Sequence, residues 1–215
     1  MTDLWSERAQ GYRDSETHRQ GADLDLVIEW AEPGVGVTAL DVATGGGHVA
    51  RRLREAGSTV VSSDPAPGMQ PDVICRAESL PFAEASFDVV TCRIAPHHFD
   101  DIRLAVSEMA RVARHRVVVE DNLFAGEQDE EAERLHDPSH IRCYSEAEWR
   151  ELFESAGLRI DRAEIREKRV PVAAWLDRVG CVGADAERVR EILAYRIDDE
   201  DRLGYRVILL RGVKP

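Results

Sequence analysis

The stretch that decides the fold of this chain is Val37–His48, which reads VTALDVATGGGH. Its apolar first half is typical of a β-strand, and three consecutive glycines follow. The next segment, HVARRLREAG, has the apolar spacing of an amphipathic helix that Gly57 would end. A strand, a glycine turn and a helix in this order predict an α/β sheet with a ligand site at the end of its first strand. Glycines let the backbone approach such a ligand, and the helix N-terminus attracts its negative groups.

An acidic residue follows the glycine turn at a distance that suits a nucleoside ligand. The segment TVVSSDP predicts a second strand that ends at Asp64. A carboxylate about 20 residues after the glycines is well placed to accept hydrogen bonds from a ribose diol. The two segments therefore predict a site for a ligand that contains a nucleoside.

Three segments together carry a family resemblance: ALDVATGGGH, VVSSDP and RAESLPFAEASFDVVTCRIAPHHF. They resemble class I S-adenosylmethionine (SAM)-dependent methyltransferases, in particular the small-molecule branch that includes the quinone-biosynthesis C-methyltransferases. The likeness covers residues 37–125 and, more loosely, residues 139–157. It implies a doubly wound, mostly parallel α/β sheet of seven strands with one strand antiparallel. It also implies transfer of a methyl group from SAM to an O, C or N atom of a small organic acceptor, with S-adenosylhomocysteine (SAH) as the product.

The resemblance assigns SAM-binding roles to particular residues. The glycine turn would hold the methionyl end, Asp64 the ribose, and the segment after the third strand the adenine. The family usually has Asp-Ala-Glu in that segment, whereas this chain has Arg76, which carries only donors. Arg76 could stack on the purine or face solvent, and Glu78 could supply the acceptor. The residues expected to bind SAM are Ala43, Gly45, Gly46, Gly47, Asp64, Ala77, Glu78 and Arg93.

Methyl transfer from a sulfonium mainly requires that donor and acceptor are aligned and that water is excluded. For an oxygen or nitrogen acceptor, a base that removes a proton would help. His97 and His98, which follow the fourth strand, are the candidates because imidazole titrates near neutrality. Packing or substrate contact without proton transfer is the alternative role for both. His140 is a weaker candidate for substrate contact. Tyr12 and His18 are weak candidates for a lid over the site, with packing as the alternative role of Tyr12.

The length of 215 residues predicts one domain. We expect N-terminal helices that cover the site in residues 1–36, the SAM-binding core in 37–122, a lid segment in 123–145 and the C-terminal half of the sheet in 146–215. Three prolines and a glycine in Pro65–Pro71 exclude the helix that the family usually has there. Another segment must therefore cover that side of the sheet, or the site is more open.

Several local patterns make further structural predictions. Residues 72–77 are expected to form the third strand, and Ser145 to Glu148 to form a capping box that begins a helix. The acidic run from Glu127 to Glu133 is typical of a solvated helix face.

The amino-acid composition indicates which classes of partner the protein can bind. A net charge of −13 argues against a large nucleic-acid interface, which would need clustered Lys and Arg. The four cysteines are far apart and are predicted to be reduced thiols, with no metal site. A polar N-terminus and the lack of a long apolar run predict a cytoplasmic protein without a membrane span. The expected partner is a small-molecule acceptor, and a homodimer is compatible with the sequence.

Two other functions are compatible with parts of the pattern. An NAD-dependent oxidoreductase would share the glycine turn and the acid, but it needs GxGxxG, and here His48 and Val49 follow the glycines. A non-catalytic SAM-binding module would explain Arg76 and the missing helix. SAM-dependent methylation of a small molecule is the function that the sequence favours.

Overall fold

A computed structural model describes residues 4–215. Its centre is one seven-stranded sheet in the order β3-β2-β1-β4-β5-β7-β6. Strand β7 runs opposite to the other six strands, which confirms the predicted fold class. The strands are β1 (Thr38–Val42), β2 (Thr59–Asp64), β3 (Val73–Ile74), β4 (Phe87–Arg93), β5 (Ala113–Asn122), β6 (Arg159–Pro171) and β7 (Arg202–Val213).

Helices cover both faces of the sheet, as a mostly parallel sheet requires. The helices are α1 (Leu4–Asp14), α2 (Glu16–Arg19), α3 (Ala22–Ala31), α4 (His48–Glu55), α5 (Ile102–Val112), α6 (Glu127–His136), α7 (Glu146–Ser155), α8 (Val172–Val179) and α9 (Gly183–Ile192). The predicted capping box is present: the Ser145 hydroxyl accepts from the Glu148 N–H, and the Glu148 carboxylate accepts from the Ser145 N–H.

Two apolar layers hold the helices against the sheet. On one face, Leu24 of α3 and Leu53 of α4 pack against the central strands. On the other face, Met109 of α5 and Trp149 and Phe153 of α7 are fully buried. Because helix stripes and strand residues bury each other in this way, the carboxyl ends of the parallel strands are held at one edge of the sheet.

The first helix occupies the place of the helix that the chain lacks after β2. The segment from Pro67 to Met69 forms only a 3₁₀ turn. The Gly68 N–H donates to Ser6 Oγ at 2.8 Å, and Arg13 donates to the Gly68 carbonyl at 2.9 Å. A Cβ added to Gly68 would lie 2.5 Å from Ser6 Cα, so only glycine permits this approach. Helix α1 therefore fills the gap that the prolines create.

The structure corrects two of the local predictions. The third strand is only Val73–Ile74, because a turn closed by a hydrogen bond from the Ser79 N–H to the Arg76 carbonyl follows it. The acidic run is not a fully solvated face, because Asp129 and Glu130 are buried. Asp129 accepts a hydrogen bond from Tyr195 Oη at 2.5 Å and pairs with Arg196, which draws this helix onto the segment after α9.

Within residues 4–215, no helix has the length and apolar character needed to cross a membrane. The four cysteines are free thiols: Cys92, Cys143 and Cys181 are buried and Cys75 is half-buried.

Candidate functional site

The carboxyl ends of β1, β2 and β4 line a cavity of about 310 Å³, which we call the glycine crevice. Trp5 and Tyr12 of α1 also line it. Gly47 lies next to it as the N-cap residue of α4. The other residues that the sequence predicts as SAM-binding all line this one cavity: Ala43, Gly45, Gly46, Asp64, Ala77, Glu78 and Arg93.

The glycine turn has a left-handed backbone at alternate positions. Ala43, Gly45 and Gly47 have φ of 52°, 50° and 76°. A Cβ added to Gly45 would meet no protein atom within 4 Å, so its conformation rather than crowding favours glycine there. Ala43 adopts the same strained region with only a methyl group, which makes it the smallest departure from glycine that an L-residue allows.

A buried carboxyl group organises this turn from below, and the sequence analysis missed it. Asp41 accepts hydrogen bonds from Thr44 Oγ1 at 2.6 Å, from Thr91 Oγ1 at 2.9 Å and from the Ala50 N–H at 3.2 Å. Burial raises the pKa of Asp41 to about 6, although these hydrogen bonds act in the opposite direction. An aspartate within an otherwise apolar strand is the sequence feature from which this role could have been predicted.

Gly46 is the position at which the crevice and the first helix meet most closely. A Cβ there would lie 2.7 Å from the Tyr12 carbonyl oxygen and 2.8 Å from His48 Nε2. His48 Nε2–H donates to that same Tyr12 carbonyl at 3.0 Å. Gly46 and His48 therefore seat α1 on the glycine turn, and any side chain at residue 46 would displace it.

Asp64 connects the ends of two strands at the rim of the crevice. Its carboxylate accepts from the Gly45 N–H at 3.0 Å and from the Ala66 N–H at 2.9 Å. The predicted ribose-binding acid thus lies directly beside the glycine turn, which is the arrangement that a ligand spanning both would need.

The segment predicted to bind adenine is held by hydrogen bonds within the protein. The Glu78 carboxylate accepts from the Asp100 N–H at 3.0 Å and pairs with Arg76 at 3.3 Å. Arg76 also pairs with the Asp100 carboxylate at 2.6 Å, and its side chain is 54% exposed. Ala77, between Arg76 and Glu78, also lines the crevice.

Arg93 is part of a buried ion network rather than a free cation. It pairs with Asp23 and, at 2.5 Å, with Glu120, and its Nη1 donates to the His18 carbonyl at 3.2 Å. Burial opposes the ionised form of Asp23, yet Arg93 and Lys168 hold the pKa of Asp23 well below its usual range. The network ties the start of α3 to the sheet beside the crevice.

A second, smaller cavity of about 40 Å³ adjoins the first, and we call it the histidine chamber. Tyr12, His18, Ile94 and His98 line both cavities. The chamber is otherwise lined by residues from the turn after β4, from β5, α6, α8 and β7, and from the loop before α7, among them His97, Asn122, His136, His140, Trp175 and Arg178.

The two candidate bases differ in position and partner. His98 lines both cavities; its Nδ1–H donates to the Ser139 carbonyl at 3.1 Å, and its ring meets Trp5 edge to face at 4.6 Å. His97 lines only the chamber, and its Nδ1 lies 2.6 Å from Asp121 Oδ1. Burial lowers the pKa of both imidazoles to about 3 and raises the pKa of Asp121 to about 8.

His140 lies near the two candidate bases, with its ring centroid 5.5 Å from that of His97. Its Nε2–H donates to Glu130 at 3.0 Å, and Glu130 also accepts from the Cys143 N–H at 3.0 Å. Ligand-type atoms of Glu130, His140 and Cys143 lie within 4.8 Å of one another. The sequence spacing of the cysteines did not reveal this cluster. Its members are engaged with one another, and a metal-free protein stays a prediction.

Comparison with known proteins is consistent across sequence and structure. A family model described as a methyltransferase domain matches residues 40–119, which include the glycine turn and the paired histidines. The chain is 32% identical to YcgJ of Bacillus subtilis, an uncharacterized methyltransferase, over 98% of this chain and 92% of YcgJ. The crystal structure of YcgJ matches with a TM-score of 0.78 at 28% identity, covering 89% of this chain and 97% of that one.

Two further proteins show how far the similarity extends. YafE of Escherichia coli, an uncharacterized protein, is 31% identical over 53% of this chain and 58% of its own. Magnesium protoporphyrin IX methyltransferase from Synechocystis PCC 6803, whose structure contains SAH, shares the fold with a TM-score of 0.59 at 16% identity. That match covers 90% of this chain and 82% of the other.

Proposed function

The chain belongs to the class I SAM-dependent methyltransferases, and we propose that it methylates an oxygen, nitrogen or carbon atom of a small organic molecule. One observation supports this most strongly: the glycine crevice adjoins the histidine chamber, and four residues line both. Two adjoining cavities of different chemistry suit a reaction that brings two substrates together. We assign the crevice to SAM and the chamber to the methyl acceptor.

The crevice suits SAM in size and in chemistry. Its volume of about 310 Å³ falls within the roughly 300–1,000 Å³ of small-molecule sites. We propose that the turn from Ala43 to Gly47 and the Arg93 backbone hold the methionyl end, and that Asp64 accepts from the ribose hydroxyls. Ala77 and Glu78 would then lie at the adenine. When bound, SAM supplies an electrophilic methyl group on a sulfonium.

We propose that His97 removes the proton from an oxygen or nitrogen acceptor. Burial alone leaves His97 a weaker base than expected from the sequence, with its pKa lowered to about 3, so this role depends on Asp121. When Asp121 is ionised, its 2.6 Å contact with Nδ1 would fix the Nδ1–H tautomer, leave a free lone pair on Nε2 and favour the imidazolium that forms. His98 lies between the two cavities and would position the acceptor against the methyl group. For a carbon acceptor with carbanion character, less base would be needed.

A turnover assay with labelled SAM and a panel of small phenols, amines, carboxylic acids and enols tests this function. Calorimetry with SAM and with NAD is run in parallel. We expect SAM to bind, NAD not to bind, and label to transfer to one chemical class in the panel. Binding of SAM without transfer to any class would favour the non-catalytic alternative, and binding of NAD would contradict the assignment of the crevice.

We also propose that nucleic acid is not a substrate. The net charge of −13 supports this, because phosphate binding depends on clustered cations. The arginines after α5 are used within the protein: Arg114 pairs with Asp88 at 2.5 Å, and Arg116 pairs with Glu32 at 3.0 Å. A homodimer remains a prediction.

A further inference from the structure

Three buried polar atoms without a hydrogen-bond partner among residues 4–215 belong to residues that line the histidine chamber. They are His136 Nδ1, Asn122 Oδ1 and Arg178 Nε. Buried polar atoms in native proteins are almost always paired, so unpaired atoms around one cavity indicate a ligand that pairs them. Their donor and acceptor character then describes that ligand.

The histidine and the asparagine both offer acceptors. His136 Nε2–H donates to the Trp175 carbonyl at 2.9 Å, so Nδ1 carries the lone pair. Glu133 Oε2 lies 3.8 Å from Nδ1, beyond hydrogen-bond distance. The imidazole is stacked on the Trp175 ring at 3.6 Å and is 5% exposed, which fixes its orientation. Asn122 Oδ1 is a carbonyl oxygen and can only accept a hydrogen bond. The ligand should therefore carry a hydroxyl or amino group that can donate.

Arg178 forms no direct ion pair among residues 4–215, although its charge favours the ionised form of the Glu133 carboxyl in the same chamber. Its contacts are with Thr17 Oγ1 at 3.4 Å and with the Tyr12 ring at 6.0 Å, and no carboxylate of residues 4–215 lies within ion-pair distance. Of the acids that face the chamber, Asp137 pairs with Arg8 at 3.0 Å. Burial raises the pKa of the other, Glu133. Arg178 is thus available to an anionic group of the ligand.

The size of the chamber limits what can enter. A cavity of about 10–15 Å³ holds one water molecule, and the chamber measures about 40 Å³. Several water-sized groups fit, so a carboxylate and the polar group next to it can enter together. A larger acceptor would extend into the glycine crevice past His98, which lines both cavities.

We propose that the histidine chamber binds the carboxylate of a small organic acid at Arg178, while a neighbouring hydroxyl or amino group of the same acid donates to His136 and Asn122. This inference rests on the proposed function, because it names the class of acceptor. Arg178 is then a specificity-determining residue. A guanidinium suits this role since its planar donors match the two oxygens of a carboxylate.

Ligand-observed NMR titrations of the full chain test the inference, with and without saturating SAH. The probes are glycolate, lactate and salicylate, each compared with its primary amide. We expect each acid to bind about 10- to 100-fold more tightly than its amide, the range for a hydrogen bond to a charged group. Arg178→Met should remove this preference, and Arg178→Lys should retain part of it.

A matched control is Arg103→Met, which removes an exposed arginine that pairs with Glu151 on the surface. It should leave the ratio of acid to amide affinity unchanged. Equal binding of acids and amides by the wild type, or an unchanged ratio in a folded Arg178→Met variant, would overturn the inference. Failure to bind SAH would instead refute the proposed function, and the titration without SAH still decides the role of Arg178.

Discussion

The glycine crevice and the histidine chamber are built in opposite ways. The crevice is built around the glycine turn and the carboxyl ends of three neighbouring parallel strands. Its two carboxyl groups from strands are paired within the protein: Asp64 with two backbone N–H groups and Asp41 with Thr44, Thr91 and Ala50. The chamber is formed by side chains from distant segments, and three of its polar atoms are unpaired. A cavity whose polar groups are already hydrogen-bonded within the protein suits SAM, the substrate that all members of the family share. Side chains with unpaired polar atoms can instead select one particular acceptor.

Among variants that should affect one cavity and not the other, we expect the largest change in activity from His97→Gln. Loss of a general base lowers turnover by about 10²–10⁴-fold, while SAH affinity should be unchanged because His97 lines only the chamber. The measurement is kcat with whichever panel compound is methylated, beside SAH calorimetry. His115→Gln, at an exposed surface histidine, is the control. Full turnover by His97→Gln would show that this side chain moves no proton.

Gly46→Ala should lower the affinity for SAH, which His97→Gln leaves unchanged. The new Cβ would lie 2.7 Å from the Tyr12 carbonyl and would push α1 off the turn. Overpacking of this kind costs about 1–3 kcal/mol, so SAH affinity should fall about 10- to 100-fold. Gly34→Ala is the matched control, since a Cβ there meets nothing within 4 Å. Equal SAH affinities of the two variants would mean that α1 does not close the crevice.

Asp64→Asn probes the ribose assignment. The substitution keeps the shape of the side chain but removes the charge, and we expect SAH affinity to fall about tenfold, the lower end for loss of a charged hydrogen-bond partner. Calorimetry measures this. Asp25→Asn, an exposed acid that pairs with Arg52, serves as the comparison. If Asp64→Asn binds SAH like the wild type and remains folded, the ribose lies elsewhere.

The smallest expected effect is a pH dependence of turnover that arises in the histidine chamber and not in the glycine crevice. Burial raises the pKa of Asp121 to about 8, and His97 Nε2 is free to accept a proton only when Asp121 is ionised and accepts from Nδ1–H. The base form therefore accumulates as pH rises through about 8. Turnover of an oxygen or nitrogen acceptor should increase about tenfold between pH 7 and 9, with SAH affinity flat. Asp121→Asn should abolish the inflection, and a wild-type profile that falls over this range would contradict the pairing.

The same contrast explains what could be predicted from the sequence. Short sequence patterns predict β1, the glycine turn, the acid at the end of β2 and the capping box of α7. Each of these features depends on residues that are close in sequence. The third strand was predicted too long, since the turn at Arg76 lies within a segment of strand-like composition.

The chamber could not be predicted because no local pattern marks it. His136 and Arg178 come from different helices, 42 positions apart in the sequence, and meet only through the packing of those helices on the sheet. The ion network of Asp23, Arg93 and Glu120 likewise joins residues from three separate elements. Glu130 was expected to face solvent, but its partner His140 lies in a loop whose path the sequence does not specify.

A crystal structure with bound SAH tests most directly whether the two cavities hold the two substrates. We expect SAH in the glycine crevice, with its ribose hydroxyls on Asp64, its methionyl end on the turn from Ala43 to Gly47, and its sulfur facing His98 and the chamber. SAH bound elsewhere, or with its sulfur directed away from the chamber, would contradict this assignment.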